Sequence, residues 1–109
     1  MNQSDHVFEM RTYHAVPGKL EAVIARFADH TEALFKRHGI KTMGYWVARE
    51  NSKNLLLYIV DHDSREAAEK NWRAFQNDEE WKKVKADSER DGPIVTHIDS
   101  NYMDKLAIS

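Results

Sequence analysis

The sequence contains no cysteine, which excludes disulfides, thiolate catalysis and cysteine-ligated zinc or iron–sulfur centres while leaving the redox state of its compartment open. Prolines number two and glycines four, so Pro17-Gly18, Gly39 and Gly92-Pro93 stand out as the places where regular structure must stop. No apolar run approaches the roughly 18 residues that a membrane span needs, and MNQSDH at the start has neither the basic nor the apolar region of a signal peptide. No membrane partner is expected, and the cytoplasm is the expected location. Charge of one sign is missing too: 16 basic and 18 acidic residues leave a net −2, mixed along the chain, which argues against nucleic acid. GxGxxG, P-loop and GxSxG motifs are absent, so nucleotide binding and serine hydrolysis have no anchor. No histidine lies two to five residues from another. The pair His97 and Asp99 and the run Asp61-His62-Asp63 fall short of a ligand set, so no metal and no cofactor is expected. A haem on a single axial histidine would have only His38 or His97 to use.

What is present fits one domain over residues 1–109, a length that buries only about two-thirds of the surface of its unfolded chain. VFEMRTYH (residues 7–14) is rich in β-branched and aromatic residues and reads as a strand ending at Pro17-Gly18. From Leu20 onward Val23, Ile24, Phe27, Leu34 and Phe35 repeat with helical period until Gly39. IKTMGYWVAR (40–49) and NLLLYIVDH (54–62) read as a hairpin joined by the polar ENSK. Asp63 or Ser64 can cap a second helix that carries Ala68, Trp72 and Phe75 on one face. Asn77 or Asp78 then starts a further helical piece with Trp81 and Val84, and PIVTHIDSNY (93–102) closes the chain as a strand. The order β-α-β-β-α-β predicts an α+β, ferredoxin-like fold: a four-stranded antiparallel sheet with its helices on one face. An open sheet face should alternate apolar and polar residues, but LLLYIV (55–60) is apolar on both sides, which predicts that the face away from the helices meets a second copy of the chain.

Three stretches, EMRTYHAVPGKLEA, HGIKTMGYW and SREAAEKNWRAFQNDEEW, lie in order along the chain and together resemble the NIPSNAP family over roughly residues 7–103. The resemblance implies a dimeric α+β barrel in which ferredoxin-like monomers pair sheet to sheet. It implies no established reaction, although the wider fold group includes cofactor-independent monooxygenases, isomerases and haem-degrading oxygenases.

Candidate site residues follow from parity and helical position. Glu9, Arg11 and Tyr13 share one face of the first, central strand. Buried there, Glu9 and Arg11 must find partners, either each other or a bound molecule whose carboxylate or carbonyl Arg11 would hold. On the first helix Thr31 and His38 fall in the middle of the apolar stripe. Thr31 can satisfy itself on the carbonyl of Phe27, four residues back, and His38 can bond the free carbonyls of the helix end; alternatively both line a cavity, with His38 as a general base. Tyr45, Trp46, Tyr58 and Trp72 are core or pocket wall, Tyr45 and Trp46 on opposite faces of their strand. The expected function is a homodimer that binds a small hydrophobic or cyclic molecule between helices and sheet, with His38 and Arg11 as the catalytic candidates. The alternatives are a cofactor-independent monooxygenase or isomerase and a protein-interaction scaffold.

Overall fold

A computed structural model describes residues 6–108. The chain runs β1 (Val7–Ala15), α1 (Leu20–Arg26), a π-helical turn (Phe27–Thr31), α2 (Glu32–Arg37), β2 (Lys41–Trp46), β3 (Leu55–His62), α3 (Arg65–Gln76), α4 (Glu79–Ser88) and β4 (Val95–Met103). All strand pairs are antiparallel, in the order β2-β3-β1-β4, so the ferredoxin-like α+β architecture read from the sequence is the one observed.

Helix ends follow local chemistry. Ser64 caps α3 by accepting a hydrogen bond from the Ala67 amide at 2.9 Å, and Asp78 caps α4 through the amides of Glu80 and Trp81. Of the two pairs of candidates, Ser64 and Asp78 are the caps. At the end of α2, Gly39 takes a left-handed φ of 76°. Its amide bonds Lys36 and the Ile40 amide bonds Phe35, the paired pattern that closes a helix on a left-handed residue.

Alternation along the central strands separates two environments. Tyr13, Leu56, Tyr58 and Val60 face the helices and join Val23, Phe27, Phe35, Ala68, Trp72 and Phe75 in one core. Fully burying a side chain such as Phe35 or Leu34 contributes about 1.5–3 kcal/mol. In β2 the register shifts between Thr42 and Tyr45, where Gly44 adopts a φ of 138°. That bulge lets Thr42 and Tyr45 both reach Glu32 of α2, Thr42 at 2.8 Å and Tyr45 through a short hydrogen bond. The opposite face carries Phe8, Met10, Leu57 and Ile59 with Met43 and Trp46, and no helix among the described residues covers it; Met43 and Trp46 are 58% and 51% exposed. Among the described residues no helix is long and apolar enough to cross a membrane.

The first helix departs from the regular wheel. Thr31 donates its hydroxyl hydrogen bond to the carbonyl of Arg26, five residues back, rather than to Phe27. The cause is the π turn, whose wider loop shifts hydrogen bonding by one residue and displaces every later side chain from a uniform 100° progression.

Candidate functional site

Beneath the helices, β1 and β3 build a connected polar network. Glu9 is 1% exposed. Its Oε1 accepts hydrogen bonds from Trp72 Nε1 at 2.7 Å and His62 Nε2 at 2.8 Å. Its Oε2 accepts from Ser100 Oγ at 2.5 Å and Arg11 Nη1 at 3.1 Å. Arg11 Nε donates to the Tyr58 hydroxyl at 2.8 Å, and that hydroxyl donates to Tyr13 at 3.2 Å. The guanidinium also lies over the Trp72 ring, 4.3 Å from its centre, a cation–π contact.

The electrostatics follow from this wiring. Burial alone would raise the Glu9 pKa, but the hydrogen bonds from His62, Ser100 and Trp72 and the charge of Arg11 outweigh it and lower it from 4.5 to about 2. Glu9 is therefore a carboxylate that can only accept, which places the ring hydrogen of His62 on Nε2 and leaves its buried Nδ1 without a partner among the described residues. Burial opposes the charge of Arg11, yet the Tyr58 and Tyr13 hydroxyls and Glu9 raise its pKa above the ordinary value. Burial and the neighbouring Tyr13 push the Tyr58 phenol well above 10.0 despite the opposing pull of Arg11. A phenol shifted that way is a hydrogen-bond donor near neutral pH and not a base.

The network has an opening. Arg11 keeps 16% of its side-chain surface accessible. On β4 the residues opposite Tyr13 and Arg11 are Ile98 and Ser100, and both are exposed although they point to the helix side. A cleft of about 400 Å³ lies between α4 and β4, with Tyr13 at its floor, Arg26 and Trp81 on the helical wall and Val95 and Ile98 on the strand wall. Arg26 is itself 6% exposed, bonded to Ser88 and Glu89, with a buried Nε that has no partner among the described residues. A larger groove of about 620 Å³ between α1 and α4 is lined by Ala22, Asp29 and Lys83 and lies away from the network.

Four of the residues singled out from the sequence, Arg11, Tyr13, Tyr58 and Trp72, thus meet at one place, and Arg11 and Glu9 are partners of each other. Tyr45 packs against Phe27 and Tyr58 with its hydroxyl on Glu32; burial, with that carboxylate, raises its pKa. Thr31 is buried against the π turn, and Trp46 stands on the opposite sheet face. His38, at the end of α2, bonds Asp78 at 2.7 Å and lies beside Phe75, tying α2 to the start of α4. His62, Ser100 and Arg26 belong to the network or its cleft without having been singled out from the sequence. For the first two the signal was strand parity: His62 shares its face with Leu56, Tyr58 and Val60, and Ser100 is paired with Arg11. Arg26 had no such signal, since its burial depends on how α4 packs over it.

The family model for NIPSNAP matches residues 8–109. An uncharacterised NIPSNAP-like domain protein of Burkholderia xenovorans superposes with a TM-score of 0.85 at 13% identity, over 98% of this chain and 90% of its own. A NIPSNAP family protein of unknown function from Agrobacterium tumefaciens gives 0.84 at 18% identity, over 99% and 95%. A candidate antibiotic biosynthesis monooxygenase of Caulobacter crescentus gives 0.63 at 12% identity, over 94% and 92%. At such identities these likenesses speak for the fold alone. None of the curated proteins compared matches the sequence. With the family model spanning nearly the whole chain and these folds beside it, the chain belongs to the NIPSNAP family.

Proposed function

We propose that the protein is a homodimer, paired through the apolar outer face of its sheet, that binds a small hydrophobic or cyclic molecule bearing a carboxylate or carbonyl in the cleft between α4 and β4. The observation that carries this reading is that the network meets the cleft at Tyr13, beside Arg11 on the same strand face. Arg11 is fixed by Glu9, Tyr58 and Trp72 yet keeps 16% of its side-chain surface accessible near the uncovered Ile98 and Ser100. A planar guanidinium already held by its neighbours can present its remaining N–H groups to an oxygen pair with little further loss of side-chain freedom. Aromatic and aliphatic side chains around it suit the apolar body of such a ligand.

Binding is favoured over catalysis by the chemistry of the cleft. The Tyr58 phenol is a poor base, and His38, the candidate base, is held on Asp78 at the end of α2 and does not line the cleft. A cofactor-independent oxygenase or isomerase would need a group able to remove a substrate proton.

The test is calorimetric titration with benzoate and salicylate as probes. Saturable binding is expected in the wild type, with loss in Ile98→Trp, which fills the cleft over Tyr13 while keeping Glu9 and Arg11, and in Arg11→Gln. Circular dichroism checks that both variants fold. Binding that persists undiminished in folded Ile98→Trp, or a wild type that takes up neither probe, overturns this ligand class.

A further inference from the structure

On the opposite sheet face, at the corner where β1 meets β4, apolar side chains give way to a cluster of which only His97 borders the ligand cleft. His14 and His97 face each other in register across the two strands, their rings 4.8 Å apart. Asp99, two residues further along β4, lies between them: Oδ2 meets His14 Nε2 at 2.8 Å and Oδ1 meets His97 Nε2 at 2.7 Å. One ligating atom from each of the three falls within 4.8 Å of the others.

We propose that His14, His97 and Asp99 form a binding site for a divalent transition-metal ion of the zinc class. Two imidazole nitrogens and one carboxylate oxygen are a donor set suited to such ions, and three protein ligands leave a coordination position for water or another ligand. Zinc bonds of about 2.0–2.2 Å place neighbouring donors roughly 3.3 Å apart in a tetrahedron, so donors now up to 4.8 Å apart need to close by up to about 1.5 Å, while the two hydrogen-bonded contacts open slightly. Rotation of the partly exposed His97 and Asp99 side chains supplies that movement. The ion takes the place now filled by the carboxylate-to-imidazole hydrogen bonds, with each ring turning its Nε2 lone pair to the metal and keeping its hydrogen on Nδ1.

Strand pairing holds the site on a rigid frame. His14 and His97 are fixed by the β1–β4 register, and the Thr96 hydroxyl donates to the His14 carbonyl at 3.0 Å. The register shifts just past His14, between it and Ala15, an irregularity of the kind that re-aims side chains. Sequence spacing alone could not reveal the set, because His14 is 83 residues from His97 and only the sheet brings it close.

The experiment is titration of the metal-free full chain with Zn²⁺ by calorimetry and with Co²⁺ by visible absorption. Saturable binding of one ion per chain is expected, with the d–d bands of a nitrogen- and oxygen-ligated ion. His14→Gln, His97→Gln and Asp99→Asn should each weaken it by about tenfold or more, since loss even of an outer partner commonly costs 10–100-fold. These residues are partly or fully exposed, so the variants should keep the fold. His6→Gln, which alters the separate pairing of His6 with Asp61, should leave binding unchanged. Absence of saturation in the wild type, or binding that survives in Asp99→Asn and His97→Gln, contradicts the proposal.

Discussion

The two faces of the sheet each depart from the usual division between inside and outside. The helix-covered face buries Glu9, Arg11 and His62, whereas the uncovered face presents Phe8, Met10, Leu57, Ile59, Met43 and Trp46. A buried ion pair is rarely a net source of stability, because desolvation offsets its Coulombic gain. An exposed apolar face is equally unfavourable in an isolated monomer. The pattern makes sense when the inner face is a binding device, with Arg11 kept charged and oriented, and the outer face is an assembly surface. On this reading the fold spends stability on the inside and recovers it by association on the outside.

The comparison can be broken most severely at Glu9. Glu9→Gln leaves Arg11 buried without its counter-charge and replaces an acceptor for four donors, so denaturant unfolding should show a loss of about 3–5 kcal/mol. Acid should produce a related but smaller effect. The folded-state pKa of Glu9 is lowered from 4.5 to about 2, so its contribution is complete above pH 4.5 and fades as the pH falls toward 2. It amounts to about 3 kcal/mol. Asp78, also lowered to about 2 by its bonds to His38, the Trp81 and Glu80 amides and Arg37 against the effect of burial, adds to the same acid limb. Unfolding free energies followed from pH 6 to 2 should therefore fall less steeply in Glu9→Gln than in the wild type. Trp72→Phe keeps a ring over Arg11 while removing the indole donor to Glu9, and should cost about 1.5–3 kcal/mol, the range for a hydrogen bond to a charged group.

How much of this was legible in the sequence depends on the range of the cause. Strand and helix order came from local periodicity and from stop signals such as Gly39, and the structure reproduces it. Arg11, Tyr13 and Glu9 were brought together by period-two alternation within one strand. Trp72 and Tyr58 emerged as large residues on core-facing positions, but their bonds to Glu9 and Arg11 depend on tertiary register. The π turn was invisible, because it inserts one residue's worth of rotation without a proline or glycine to mark it, and so the partner of Thr31 came out one residue off. His38 was placed by the same wheel in the apolar stripe at the helix end; it does cap α2, but its ring bonds Asp78 from 40 residues away rather than the free carbonyls.

The outer face offers the most direct test of the division between the two. Analytical ultracentrifugation at micromolar concentration should find the wild type at twice the mass of one chain, and Ile59→Asp, on the apolar face of the central strand β3, at the mass of one chain with its circular dichroism preserved. A wild type that sediments as a monomer would contradict the account.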